Sequence, residues 1–330
     1  MRSKTKITKL ERQILSHLES NSRLPFTRIA SRSKKSQQMI SYKVNSLINQ
    51  SIIQNFYSLI DYSRLNVICF WVFFRLSYIQ KGKVDDLIKT LMKSKHISIV
   101  STCGGKFDLM CSFLSRNASE FNKMLKEIMF KYPKQLKNYT VLTAIVNRDF
   151  GRKYLLGSYY KTNEVIYGGD RLPEKFDELD YKILKTLSGN ARVSSGVLAK
   201  KLVVGAKTIL SRIKKLEDRE IILGYKPKLN LSFLNYSSML VLLNYHNISR
   251  DIEDDLVNYL KNHPNIIGIT KTLGKWDIII KVEAAKRTEL RKIEMDLRER
   301  FALLIKEVEL IPIYNEYIEN YFPEFVDGNL

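Results

Sequence analysis

The sequence predicts an α+β fold in which one whole unit occurs twice in tandem. Three observations carry this prediction. Residues 8–150, moved forward by 169 positions, overlay residues 177–319 without a gap. Leu10, Ile14, Leu15 and Leu18 land on Leu179, Ile183, Leu184 and Leu187, and Gly105-Lys106-Phe107-Asp108 lands on Gly274-Lys275-Trp276-Asp277. A constant offset over such a length marks two copies of one unit, not a short solenoid repeat. Within each copy, helical periodicity comes first. Alternating strand-like runs and amphipathic helices follow.

The 330 residues suffice for two pairs of domains, each with a core. The expected boundaries are 1–62 and 63–150 for the first copy, 151–175 for a linker, and 176–230 and 231–322 for the second. In the second copy, Asp180, Ile183, Leu184 and Leu187 give helical spacing, and Ser188–Arg192 break it. A short helix carries Val197, Leu198 and Leu202. After a turn at Val203–Ala206, a third helix sets Ile209, Ile213 and Leu216 on one face. Ile221–Pro227 then read as two short extended pieces around Gly224. The first copy repeats this as Leu10–Leu18, Pro25–Arg32, Ser36–Asn49 and Ile52–Ile60. Pro25 suits a first helical turn, and Ser36 is a good N-cap. Three helices followed by a hairpin form a winged helix-turn-helix.

The third helix is the candidate reading element. Ile40, Val44, Leu47 and Ile48 form its inward face. Gln37, Gln38, Ser41, Tyr42 and Asn45 face outward, where amides and hydroxyls can bond base edges. Lys34, Lys35 and Lys43 flank that face and suit phosphates. Its counterpart carries Lys207, Thr208, Ser211, Arg212, Lys214 and Lys215, with more cations and no amides. The same residues would also serve as the solvated side of an amphipathic helix, and charge helps to decide. The net charge is +21, and residues 1–169 hold 29 Lys/Arg against 10 Asp/Glu. A field this positive favours a polyanion, and double-stranded DNA is the expected partner.

The second module starts with the apolar run Val67–Leu76. A helix with Val84, Leu87, Ile88 and Leu91 follows. Strands at Ile97–Thr102 and Phe107–Leu114 flank Gly104-Gly105. A helix with Phe121, Leu125, Ile128 and Met129 and a strand near Val141–Val146 complete it. The second copy gives Met239–Tyr245, Ile252–Leu260, Ile266–Thr272, Trp276–Val282, Leu290–Leu297 and Val308–Ile313. The order β-α-β-β-α-β is a ferredoxin-like sandwich. Apolar residues on the face away from the helices (Phe70 or Trp71, Phe74, Leu240, Leu242) predict pairing with a second sheet.

A winged helix-turn-helix followed by this sandwich, with Gly-x-aromatic-Asp in the central hairpin, resembles the Lrp/AsnC family of transcriptional regulators. The second copy carries Leu179-Asp180-x-x-Ile183-Leu184, Asn190-Ala191-Arg192, Leu198-Ala199, Arg212–Glu217 and Ile221-Ile222-x-Gly224-Tyr225. The first copy matches less well, with Arg12-Gln13 read where the family has its first-helix acid and Leu47-Ile48 in place of Leu-Glu. The usual turn glycine is Lys34 in one copy and Val203 in the other, and the cap serine is Gly205 in the second. The resemblance implies a sequence-specific DNA-binding regulator whose paired sandwich (RAM) domains often take a small amino-acid-like effector. That effector site transfers to Gly104, Gly105, Asp108, Gly274 and Asp277, residues that a tight turn also requires. It further implies an intrachain pseudo-dimer, reading unequal half-sites and assembling into larger oligomers.

Gly151, Gly157, Gly168-Gly169 and Pro173 punctuate the linker, yet Tyr154, Tyr159, Tyr160 and Tyr167 are too many for a free tether and are expected to pack on a sandwich. Tyr314, Tyr317, Tyr321 and Phe322 are expected to cover a sheet edge. Cys69, Cys103 and Cys111 read as buried small hydrophobes, and His17, His96, His246 and His263 are neither clustered nor equivalent. Neither a metal nor a cofactor is expected. No run is long enough to span a bilayer and no h-region follows the basic N-terminus, so a cytoplasmic, non-membrane location is expected. Siroheme decarboxylases share this layout, but the histidine pair that such chemistry needs is missing. A ligand-sensing or assembly protein that no longer touches DNA is the third reading, favoured by the non-glycine turns and opposed by the charge.

Overall fold

A computed structural model describes residues 7–77, 81–156, 164–246, 249–320 and 322–326. The first copy runs α1 (Lys9–Ser20), α2 (Phe26–Ser33), α3 (Gln37–Asn49), β1 (Ile53–Ile60), a 3-10 turn (Tyr62–Leu65), β2 (Ile68–Leu76), α4 (Lys81–Met92), β3 (Ile97–Cys103), β4 (Leu109–Ser115), α5 (Ala118–Lys131) and β5 (Leu136–Asp149). A connection holds α6 (Lys153–Leu156) and β6 (Val165–Gly168). The second copy runs α7 (Glu178–Gly189), α8 (Ser195–Leu202), α9 (Ala206–Asp218), β7 (Ile222–Leu229), β8 (Ser237–Tyr245), α10 (Arg250–Asn262), β9 (Ile266–Gly274), β10 (Ile278–Ala284), α11 (Arg287–Arg300) and β11 (Ile305–Glu319).

The first helix of each copy starts in a capping box. Thr8 pairs with Glu11, and Asp177 with Asp180. Glu11 therefore stands where Asp180 does. The first copy keeps the first-helix acid that Arg12-Gln13 seemed to replace.

The expected hairpin wing is absent from the described residues of both copies. Ile222–Leu229 form one strand through Gly224, and its partner is β1 of the other copy. Tyr57 faces Lys226 and Leu59 faces Gly224 in this two-stranded antiparallel ribbon. Each strand finds its backbone partners across the copies, so neither needs a return strand.

The two sandwiches share one sheet. Its order is β2-β4-β3-β11-β8-β10-β9-β5, and β5 also pairs with β2, so these strands close into a barrel with β6 added on β5. Closure depends on two long strands. Leu136–Thr143 of β5 pair with β2, and Leu142–Asp149 pair with β9. Likewise Ile305–Ile313 of β11 pair with β8, and Ile313–Glu319 with β3. Both strands run beyond the expected Val141–Val146 and Val308–Ile313 because each crosses to the other sheet's edge. Tyr314 and Tyr317 lie on this extension, and Tyr321 lies outside the described residues.

Period-2 alternation divides β2 between two cores. Cys69, Trp71 and Phe73 face the barrel interior with Leu240 and Leu242, whereas Phe70, Val72 and Phe74 face α4 and α5. Phe70 and Phe74 therefore belong under the helices, not between the sheets. Burying each such side chain contributes about 1.5–3 kcal/mol. The apolar inner faces are used within one chain. Cys69, Cys103 and Cys111 are buried thiols, and burial pushes Cys69 and Cys103 up to about 12. No helix among the described residues is long and apolar enough to cross a membrane.

Candidate nucleic-acid interface

A reciprocal clamp joins the two three-helix heads. Arg23 donates from Nη1 to the carbonyls of Ala191 (2.6 Å) and Val193 (3.3 Å). Arg192, its counterpart at the 169 offset, donates to the carbonyls of Ser22 and Leu24. Ser22 N–H donates to Tyr225 O at 2.8 Å, and Ala191 N–H to Phe56 O at 2.9 Å, again an equivalent pair. Arg23 stacks on Tyr225 at 5.2 Å, and Arg192 on Phe56 at 5.5 Å and Phe26 at 4.4 Å. The Asn-x-Arg motif thus sets the geometry between the heads. Sequence reading noticed the motif without this role, because its partners lie in the other copy.

On α3, Ile40, Val44 and Leu47 are buried, whereas Ile48, expected inside, is 39% exposed. Gln37, Gln38, Tyr42 and Asn45 are exposed, Ser41 is half-buried, and Lys34, Lys35 and Ser36 are exposed before them. On α9, Lys207, Thr208, Ser211, Lys214 and Lys215 are exposed. Ser36 caps α3 by accepting from Met39 N–H at 3.2 Å, and Gly205 gives α9 no side-chain cap. Lys34 and Val203 occupy the left-handed region, at φ 52° and 57°.

Two of the candidate cations are engaged elsewhere. Lys43 Nζ pairs with Glu11 at 3.0 Å, and Arg212 Nη1 pairs with Asp177 at 2.6 Å and Asp180 at 3.2 Å. Burial pushes Glu11 up, but bonds from Thr8 and Lys43 outweigh it and leave the carboxyl below its usual range. Burial and then Asp177 raise Asp180. At these equivalent positions Lys43 and Arg212 pin the third helix of each head to the first.

A buried ionic lock joins heads to barrel. Arg152 donates from Nε and Nη2 to Glu283 (2.9 and 3.1 Å) and from Nη1 to Glu19 (3.1 Å). Lys226 pairs with Asp149 at 3.1 Å and lies 3.5 Å from Glu19, and Tyr154 donates to Glu283 at 2.6 Å. Burial pushes Glu19 up, and Arg152 and Lys226 more than reverse this. At the 169 offset, Glu19, Lys226 and Glu283 correspond to the uncharged Ser188, Tyr57 and Leu114, and Tyr321, at the same offset from Arg152, lies outside the described residues. Among the described residues the lock therefore exists on one side only. It went unread in the sequence, although Lys281 and Glu283 inside the apolar run of β10 were a signal. Within the expected linker, Arg152 anchors the lock, Tyr154 stacks on Tyr236 at 4.2 Å, and Tyr167 meets Tyr62 edge-on. Tyr159 and Tyr160 lie outside the described residues.

The hairpin residues proposed for an effector sit in the barrel seams. Asp108 accepts from Leu76 N–H and Asp277 from Tyr245 N–H, both at 2.8 Å. Gly105 and Gly274 have φ of 79° and 145°, and a Cβ on Gly274 would lie 2.8 Å from Leu142. A Cβ on Gly104 would meet the ring of Tyr314 within 3.0 Å. The structure brings these residues together as seam closures, each carboxylate already bonded to backbone.

Residues 7–54 and 176–222 match the family described as winged helix-turn-helix DNA-binding. An uncharacterized HTH-type transcriptional regulator of Pyrococcus horikoshii, PH1916, is 31% identical over 130 residues, covering 39% of this chain and 87% of that protein. HTH-type transcriptional regulator Ptr1 of Methanocaldococcus jannaschii is 32% identical over 103 residues, 31% of this chain and 68% of that protein. Among solved structures, the siroheme decarboxylase NirDL is similar over 96% of both chains, with a TM-score of 0.61 and 13% identity. At that identity the likeness concerns the fold alone.

Proposed function

Because the chain belongs to the Lrp/AsnC family of HTH-type transcriptional regulators, we propose that it reads an asymmetric DNA site as a single-chain pseudo-dimer. One observation carries this reading. The Arg23–Arg192 clamp fixes two heads that share a frame but present different side chains. The α3 head offers Gln37, Gln38, Ser41, Tyr42 and Asn45 to base edges, with Lys34 and Lys35 beside phosphate. The α9 head offers Lys207, Thr208, Ser211, Lys214 and Lys215, mainly a backbone grip. A homodimer reads two equal half-sites, so unequal heads on one pseudo-two-fold imply unequal half-sites.

The test is selection of binding duplexes from a random pool, followed by anisotropy across a salt series. An asymmetric consensus is expected, with log affinity falling by roughly 0.9 per log salt for each phosphate contacted. A perfect palindrome bound by one chain would refute the asymmetric reading, and failure to bind any duplex at moderate salt would refute DNA reading altogether.

The whole-chain likeness to the decarboxylase favours one further reading, a tetrapyrrole enzyme. The barrel cavity, about 100 Å³, is too small for a tetrapyrrole, so that reading requires a site elsewhere on the chain. A shift in the visible spectrum of iron-uroporphyrin on adding the protein would revive that reading.

A further inference from the structure

The barrel interior contains a cavity of about 100 Å³ whose wall draws on all eight closing strands. Eight-stranded barrels are either filled by side chains or hold one small ligand. This one is left open by a mismatch between the copies. Trp71 lies on one wall and its counterpart on the other is Leu240. Most of the lining is apolar, including Met110, Ile279 and Ile313.

Two features select the chemistry of an occupant. Trp71 is 9% exposed, and its indole Nε1–H meets no acceptor among the described residues. A buried donor of this kind favours a molecule that brings an acceptor. The charged side chains around the cavity, by contrast, are already neutralised. Lys281 pairs with Glu316 at 3.3 Å, Arg148 with Glu164 at 3.0 Å (its Nε–H meets no acceptor among the described residues), Arg152 with Glu19 and Glu283, and Asp149 with Lys226. Each of these charges already has an ion-pair partner among the described residues, so a charged ligand would lose its hydration with little compensation.

We propose that this cavity is a binding site for a small uncharged molecule with an apolar body and one hydrogen-bond acceptor directed at Trp71. A cavity of about 150 Å³ holds benzene, so about six non-hydrogen atoms is the upper size here. The site is separate from the hairpin seams. Glu19, Asp149 and Arg152 border it as well as forming the lock, so an occupant touches the joint between barrel and heads.

Trp71 can report on the site directly. The chain has two tryptophans, and Trp276→Phe installs the residue that the first copy carries at Phe107. In that variant, cyclopentanone should give a saturable change in Trp71 emission at millimolar concentration. Butyrate and butylammonium, of similar size but charged, should need at least tenfold more. Filling the cavity by Leu240→Phe or Ile279→Phe, in variants that retain a cooperative melt, should abolish the response. The proposal is overturned if no probe gives a saturable change, which would mean a cavity for water only. It is equally overturned if a charged probe binds as well as the ketone, an arm that needs no cavity-filling variant. No DNA is present in this assay, so its outcome is independent of the regulator reading.

Discussion

The seam between the heads and the joint beneath them diverged differently after the same duplication. In the seam, Arg23 and Arg192 bond equivalent carbonyls, and Ser22 and Ala191 donate to equivalent strands. At the joint, one side holds Glu19, Arg152, Lys226 and Glu283, while the positions equivalent to Glu19, Lys226 and Glu283 carry the uncharged Ser188, Tyr57 and Leu114. Backbone carbonyls do not change with sequence, so an arginine aimed at them keeps its partner through drift. A side-chain lock needs several residues to change together. Fusion permits that change on one side alone, which a homodimer cannot do because each substitution appears twice.

The largest expected effect lies at the joint. Glu283→Leu installs the residue of the opposite side but leaves Arg152 buried without its main partner, and should cost about 3–5 kcal/mol in chemical denaturation. Replacing Glu19, Arg152, Lys226 and Glu283 together by Ser, Tyr, Tyr and Leu should come closer to neutral, because of the charges in the lock only the partly exposed Asp149 then loses its ion-pair partner. If the fourfold variant lost as much as the single one, the lock would be a net source of stability rather than a specificity device. Acid provides a second test. The folded-state pKa of Glu19 is lowered, so its contribution is complete above the ordinary value of 4.5 and is lost as pH falls through the lower folded value. Melting temperature should drop across that acidic window in the parent and less steeply in the fourfold variant.

The seam should respond symmetrically and somewhat less. Arg23→Ala and Arg192→Ala each remove charged hydrogen bonds to carbonyls and should each cost about 1.5–3 kcal/mol. Arg192→Ala is expected to be the costlier, since Arg192 covers two rings and Arg23 one. A difference beyond about 1 kcal/mol would break the symmetry claimed for the seam.

Legibility in the sequence followed the range of the interactions. Three helices and a β-α-β-β-α-β order were readable because period and capping are local, as at Ser36 and in the alternation of Val67–Leu76. The ribbon of β1 and β7 was not, because a strand's sequence does not name its partner, and Gly224 suggested a turn that the other copy made unnecessary. Barrel closure was hidden for the same reason in the far halves of β5 and β11. At the candidate site the outward face of α3 was readable, whereas the pinning of Lys43 and Arg212 required matching Glu11 with Asp180 at the constant offset. Arg152 sits outside any period, and its partners are more than 100 positions away in sequence.

The heads themselves extend the contrast to function. Gln38→Ala should reduce discrimination at one base pair by about 1–3 kcal/mol while leaving the salt slope unchanged. Its counterpart change, Lys207→Ala, should weaken all duplexes alike and lower the slope by roughly 0.9. Competition anisotropy on the selected site and on scrambled duplex separates the two. The same slope change from both variants would mean that the heads grip alike.

The smallest effects come from the turns that precede the reading helices. Val203 is 89% exposed and held at φ 57°, so its side chain makes little contact that a substitution would remove. A left-handed conformation costs an L residue about 1–2 kcal/mol, and glycine's extra chain entropy returns roughly 0.5–1 of it. Val203→Gly should therefore raise stability by about 0.5 kcal/mol. Lys34→Gly should gain less, because lysine is not branched at Cβ. Gly205→Ser should add a few tenths more by supplying the missing cap. Space permits it, since a Cβ there meets only Thr208 Oγ1 at 3.6 Å. Calorimetry of the three variants decides the point. If Val203→Gly destabilised the chain, the strained turn would have to be held by a contact that its exposure argues against, and the two heads would differ in more than their reading faces.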